Sequence, residues 1–191
     1  WHDANHWSLT SGGISGASVP DASNDVIFDN NSLGRNSIIT ISGEADCNSF
    51  NWTADATTAT LKGHNSDKIN IHGNLFISEK LINEFEGAIN FLSANTFSTI
   101  EANVPFAGNI YFNSEYGEWN LNQKLHTTGK IALISGHLNT KSFEVEAETL
   151  VLSGNKSREL TVGNSNIILK SIDATNASNL IFNRGSAVFY F

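Results

Sequence analysis

The sequence predicts an all-β fold: a right-handed parallel β-helix (solenoid) with an N-terminal loop cap. Three observations carry that reading. A strand-sized phrase returns about every twenty residues, apolar and polar side chains alternate inside each phrase, and the polar content is Asn, Ser and Thr rather than charge. Charged residues make up 16% of the 191 residues, against roughly 25% in an ordinary soluble domain. Long exposed helices are lined with Glu, Lys and Arg, so this composition disfavours them. It suits strands carrying Thr and turns carrying Asn, Ser and Gly.

The recurring phrase is a turn-forming or polar residue, any residue, an apolar residue, any residue and a second apolar residue. It reads Asn24-Asp-Val26-Ile-Phe28, Asn48-Ser-Phe50-Asn-Trp52, Asp67-Lys-Ile69-Asn-Ile71 and Gly87-Ala-Ile89-Asn-Phe91. It continues as Gly108-Asn-Ile110-Tyr-Phe112, Gly129-Lys-Ile131-Ala-Leu133 and Glu148-Thr-Leu150-Val-Leu152. Successive starts are 24, 19, 20, 21, 21 and 19 residues apart. Within a strand, alternation turns both apolar residues to one side. Stacking the phrases therefore predicts one inward column of Phe50, Ile69, Ile89, Ile110, Ile131 and Leu150. A second column holds Trp52, Ile71, Phe91, Phe112, Leu133 and Leu152, and an outward column begins Asn51, Asn70, Asn90. Seven or eight coils spaced by the inter-strand distance give a rod of roughly 35–40 Å.

Further strands are legible at Ile38–Ile41, Leu75–Ile77, Trp119–Leu121 and Leu160–Val162. Beyond Leu152 the period degrades. Asn166–Leu169 and Asn179–Phe182 start only 13 residues apart, which assigns them to different sides of the coil. The chain starts at Trp1 and ends on Ala187-Val-Phe-Tyr-Phe191, without a polar capping segment. An open apolar end is unfavourable for a solenoid, so the expectation is an excised piece whose coils continue. The division expected is a capping segment at residues 1–25 and coils over 26–191.

The first residues depart from the repeat. Trp1-His-Asp-Ala-Asn-His-Trp7-Ser leads into Ser11-Gly-Gly, then Val19-Pro20, then Asp25-Val-Ile-Phe28-Asp29. Trp1 and Trp7 read as rings closing the open core of the first coil, with Pro20 at a non-pairing edge. This is preferred to a sugar-binding platform because the loop has apolar surface to cover. The run Asn5-His-Trp-Ser8, Ser-Gly-Gly, Val-Pro and Asp25-Val-x-Phe-Asp29, followed by Cys47-Asn-Ser-Phe-Asn-Trp52, resembles the opening of β-helical repeat domains in giant secreted surface adhesins of Bacteroidetes. A weaker likeness, through Trp, Val-Pro and Asp-Val-Ile, is to the G8-type segment that opens other extracellular β-helices. The resemblance implies a capped β-helix at the cell surface, type IX secretion, and association with adhesion and gliding motility.

Candidate chemistry is sparse. The net charge of −8 disfavours nucleic acid and anionic membrane surfaces, which reward clustered Lys and Arg, and no apolar run reaches the roughly 18 residues of a membrane span. The single cysteine, Cys47, cannot pair within the chain and reads as a small buried thiol. Glu144, Glu146 and Glu148 alternate on one segment and could form a carboxylate array, as a polysaccharide-active β-helix enzyme would need. Three solvated acids on an outward face is the preferred reading, and no Lys or Arg is placed opposite them by the pattern. Glu79, Glu84 and Glu86, and Glu115 and Glu118, flank turns. Histidines stand at 2, 6, 64, 72, 126 and 137; His2 and His6 lack the helical context of a His-x-x-x-His metal pair, and His64 could approach His72 across a turn. Asp25 and Asp29, with Asn30 and Asn31, are candidate Ca²⁺ ligands, although turns want the same residues. Asn51, Asn155 and Asn176 begin chance-level glycosylation patterns, and Thr57, Thr58 and Thr60 do not recur as an ice-binding array would.

The function expected is an extracellular β-helical module of a large bacterial adhesin. It would be a rigid spacer with possible adhesive contacts to glycans or surfaces, and its partners would be neighbouring domains of the same chain. No catalytic residue and no cofactor other than Ca²⁺ is assigned. The alternatives are a polysaccharide lyase or hydrolase and a carbohydrate-binding module.

Overall fold

A computed structural model of the chain describes residues 1–56, 58–93 and 97–191. It is a parallel β-solenoid of about 7 turns, and each turn has three faces. The first three coils use separate short strands. These are β1 (Val26–Phe28), β2 (Ile38–Thr40) and β3 (Glu44–Cys47); then β4 (Phe50–Trp52), β5 (Ala59–Gly63) and β6 (Lys68–Ile71); then β7 (Leu75–Ile77), β8 (Leu81–Phe85) and β9 (Ala88–Phe91). Later come β10 (Ser98–Ala102), β11 (Ile110–Leu121), β12 (Leu125–His126), β13 (Lys130–Asn139) and β14 (Val145–Val151), of which β11, β13 and β14 run round corners. The last are β15 (Arg158–Thr161), β16 (Asn166–Asp173), β17 (Leu180–Asn183) and β18 (Val188–Tyr190).

Face one stacks β1, β4, β7 and β10, then the C-terminal part of β11, that of β13, β15 and β17. Face three stacks β3, β6, β9, the N-terminal parts of β11 and β13, then the C-terminal parts of β14 and β16. Face two is β2, β5 and β8, and later β12, the start of β14, the start of β16 and β18. Between these two stretches, among the described residues, only an isolated bridge, Phe106 to Thr127, belongs to face two. Pro105 stands at that break. It has no N–H to give a ladder, and its carbonyl instead accepts from Asn83 Nδ2 of the coil before (2.9 Å).

The inward column Ile69, Ile89, Ile110, Ile131, Leu150 is in register on face three, and Ile71, Phe91, Phe112 and Leu133 follow it. Each member is nearly or wholly buried, and burying such a side chain contributes about 1.5–3 kcal/mol. The start of both columns is corrected by the structure. Phe50 and Trp52 lie on face one, between Val26/Phe28 and Leu75/Ile77. Their expected places on face three are taken by Ala45 and Cys47. Small residues suffice there because the rings of Phe28, Phe50 and Trp52 reach into the same core, with centroids 5.0–5.6 Å apart. The outward column shifts likewise. Asp46, not Asn51, precedes Asn70 and Asn90, with Asn70 Nδ2 donating to Asp46 (3.2 Å) and Asn90 Nδ2 to Asn70 Oδ1 (2.7 Å). The two late segments fall on different sides as expected, Asn166–Leu169 on face two and Leu180–Phe182 on face one.

Corners are where backbones of successive coils come closest. A Cβ on Gly108 would run into the carbonyl of Gly87 one coil below, and Gly136, at φ 88°, would meet the carbonyl of Ser114. Only glycine satisfies both the contact and the left-handed backbone at the second position. The leading segment forms the expected cap. After a single 3-10 turn (Ala4–His6), Trp7 packs edge-on to Trp1 (5.0 Å) and against Phe28 (5.9 Å), while Trp1 stacks on Phe50 (6.4 Å). The Trp7 indole N–H donates to the Trp1 carbonyl (2.7 Å), and the terminal amine donates to Thr40 O (2.8 Å).

Candidate functional site

The acidic run lies on the outer surface of face two and the following corner, and each member meets a lysine from an adjacent coil. Lys124 Nζ sits 2.8 Å from Glu144 and 2.6 Å from Glu146, and Lys170 Nζ lies 3.4 Å from Glu148. The sequence reading placed no cation opposite these acids; the structure does, because residues about one coil apart are lateral neighbours. Hydrogen bonding to Lys124 holds Glu146 below the usual carboxylate range, and Glu144 and then Glu146 raise the Lys124 ammonium. The same rule pairs Lys62 with Glu84 (2.9 Å) and Lys68 with Glu44 (2.7 Å).

The Ca²⁺ candidates point to separate jobs. Asp25 accepts from Asn48 Nδ2 (2.7 Å) and the Ser49 amide (3.1 Å), tying the first corner to the second coil. Asp29 accepts from Ser32 Oγ (2.6 Å) and from the amides of Ser32 and Asn31. Hydroxyl hydrogen bonds from Ser11 and Ser32 lower its pKa. Asn30 engages Asp55 and Asn31 engages Ser11. Both acids thus lock turns, one on each side of β1.

Histidines are distributed rather than gathered. His6 lies 3.2 Å from Asp3, His64 Nδ1 meets Ser66 Oγ (3.2 Å), and His72 faces Asp46 (3.6 Å). His126 faces Glu146 (3.7 Å), while His137 meets Thr161 (3.0 Å) and Glu159 (3.8 Å). His64 and His72 thus turn to different partners. Among the described residues, no group of three or more His, Cys, Asp or Glu side chains is arranged to hold a metal. Cys47 closes β3 in full burial, and burial first, then Asp46 and Asp25, pushes its thiol up to about 12. Thr57 lies outside the described residues; Thr58 and Thr60 belong to face two near β5.

Two features went unread in the sequence. The first is Arg158, whose side chain is 2% exposed. Its guanidinium donates to four carbonyls: Leu152 (2.8 Å), Lys156 (2.7 Å), Asn176 (2.8 Å) and Ser178 (2.9 Å). Arginine's fixed fork of donors suits such a cage. It binds a loop of one coil to the matching loop of the next.

The second is a depression of about 420 Å³ on the outer surface of face three, spanning the second to fifth coils around Tyr111. Ala88, Asn90, Asn109, Asn113 and Ile134 line it. The Tyr111 ring carries Lys130 Nζ at 5.3 Å from its centroid. Lys156 reaches in from a later corner to Asn113 Oδ1 (3.3 Å). Beside Asn113 the register of β11 against β13 shifts, so the corner at 114–117 stands out from the stack with Tyr116 exposed.

The chain matches no family model, no curated protein and no solved structure.

Proposed function

We propose that this chain is an extracellular β-helical module of a large bacterial surface adhesin, serving as a rigid spacer that also carries adhesive contacts. The observation that supports it most is the uninterrupted inward column on face three, from Ala45 to Leu150, with cross-coil ion pairs and amide ladders on its outside. On face three each coil is laddered to the next from β3 to the end of β16, so bending the rod requires breaking ladders there. Opposite charges and amides in register also fix the stacking order. The acids that an enzyme would need as free groups are committed to Lys124 and Lys170, which favours a non-catalytic role for them.

Neighbouring domains of the same chain are the partners this reading assigns. The apolar Ile181, Phe182, Val188 and Tyr190 of the last coil are exposed and suit a further β-structured unit stacked upon them. Antibody labelling tests the placement. Intact cells of the source organism should stain with an antibody raised to this chain, and the epitope should be lost on brief surface proteolysis. Staining only after lysis would overturn the proposal. Incubation with acidic and neutral polysaccharides should yield no chain cleavage; turnover lost in a Glu144→Ala/Glu146→Ala/Glu148→Ala variant would establish the enzyme instead.

A further inference from the structure

We infer that the depression around Tyr111 is a binding site for an acidic polysaccharide. The inference deepens the adhesive part of the proposed function and rests on it. Its ground is the disposition of charge and hydrogen-bond donors. Of the eight lysines, five lie within 4.0 Å of a glutamate among the described residues. Lys130, Lys141 and Lys156 do not, and two of these three flank this depression. In a chain of net charge −8, two ammonium groups without carboxylate partners on one recess form a local exception to the surface field.

The recess contains one carboxylate, Asp67, and that group is already committed. Its oxygens accept the amides of Gly43 (2.8 Å) and His64 (2.6 Å). The neighbouring asparagines spend their oxygens inside the protein. Asn109 Oδ1 accepts from the Lys130 amide (3.0 Å), and Asn113 Oδ1 from Ser135 Oγ (3.2 Å) and Lys156 Nζ. Because these partners are donors, the orientation of both amides is fixed. Their NH₂ groups have no partner among the described residues. The recess therefore offers two amide donors on its lining and, at its edge, the ammonium groups of Lys130 and Lys156, while the Lys68 ammonium that also lines it is held by Glu44. Tyr111 acts as the positioning residue: its ring face attracts Lys130 and holds the ammonium over the recess.

Donors of both kinds on a shallow face fit a sugar chain bearing carboxylate or sulfate groups. The anionic groups meet Lys130 and Lys156, while ring hydroxyls and the ring oxygen accept from Asn109 and Asn113. An acidic peptide would satisfy the lysines but presents no row of hydroxyls to the amides, so the saccharide is the better fit.

Calorimetry and affinity electrophoresis with the whole chain decide the matter, using alginate and chondroitin sulfate as probes, dextran as a neutral control and poly-L-glutamate as an acidic non-sugar. The chain should bind at least one of the two acidic polysaccharides, with affinity falling as salt is raised, and should ignore dextran. The Lys130→Ala/Lys156→Ala variant should bind about tenfold more weakly, equivalent to about 1.4 kcal/mol, with an unchanged melting temperature. Lys141→Ala, which removes the third lysine away from the recess, should bind as the parent does. Equal weakening by Lys141→Ala would show a diffuse charge effect and overturn the site. Poly-L-glutamate bound as tightly as the sugars would overturn the ligand class. Binding that survives in the double variant would place adhesion elsewhere and overturn the site alone. Absence of binding to both acidic probes would overturn the inference, while the surface-labelling result would still stand or fall by itself.

Discussion

The first coil carries strands on all three faces and the last on faces one and two, and the two are finished differently. At the first coil, Phe28 and Phe50 are covered by Trp1 and Trp7, and both phenylalanines are buried. At the last, Phe182 and Tyr190 remain 42% and 50% exposed. Phe182 meets only the edge of the Phe189 ring of the same coil (6.2 Å) among the described residues. The last coil is held instead from within, by the Arg158 guanidinium bonded to carbonyls of its own coil and of the next. A solenoid coil is stable only through its neighbours. The comparison teaches that two indole rings can cover the core of the first coil, and that a buried cation can tie the last coil to the one before it.

The sharpest way to break this picture is in the middle, where both neighbours are present. Ile110→Asp places an unpaired charge at a position of zero exposure and should cost more than about 4 kcal/mol. Thermal denaturation would show loss of the cooperative transition; an unchanged melting temperature would mean the column is misassigned. Matched truncations then compare the regions directly. Phe112→Ala, whose ring stacks on Phe91 and meets Trp119 at a tilt, should cost about 3–5 kcal/mol, whereas Phe182→Ala should cost under about 1 kcal/mol. Equal losses in urea denaturation would remove the distinction between inner and outer coils.

Arg158→Leu removes the buried donor that joins two surface loops and should cost about 2 kcal/mol, with fraying confined to residues 152–157 and 174–191. Trp1→Ala should cost about 2 kcal/mol and fray the opposite end, β1 and β4. The two variants sharpen the comparison by loosening one end each, which near-ultraviolet circular dichroism and limited proteolysis can localise.

The smallest effect expected is that of acid. Asp29, Asp67 and Asp173 all have pKa values lowered by hydrogen bonds, Asp67 by the Gly43 and His64 amides. A carboxyl whose folded pKa is depressed contributes stability above its ordinary value of 3.8, and loses that contribution as pH falls through the folded value. Melting temperature should therefore be flat from neutral pH to about 5 and decline below about 4. Asp67→Asn should flatten part of that decline; a steeper decline would contradict the assignment.

How much of this was legible follows from what each residue announces. Ile69, Ile89, Ile110, Ile131 and Leu150 declare their face because each alternates with a polar or small neighbour at a near-constant step. The slip at Phe50 and Trp52 arose because the true face-three occupants, Ala45 and Cys47, are too small to outvote two aromatic rings. Face two was faint because Ile38–Thr40 is largely outward and Pro105 breaks the ladder. The pairing of Lys124 with Glu146 and of Lys170 with Glu148 was present as a 22-residue spacing, visible only once lateral neighbours are sought one coil away. The recess at Tyr111 could not be read. It needs Ala88 and the neighbouring amides brought together from separate coils, and Lys156 delivered from a corner 43 residues beyond Asn113.

Native-state hydrogen exchange tests the central claim most directly, that each coil is held by its immediate neighbours and the two ends are secured by different devices. The account predicts slowest exchange at the face-three amides of Ile89, Ile110 and Ile131. Protection should be intermediate at β1 beneath the tryptophan cap and weakest at β17 and β18. Trp1→Ala should lower protection at β1 while leaving β17 unchanged. Uniform protection along the whole rod, or equal loss at both ends in that variant, would contradict it.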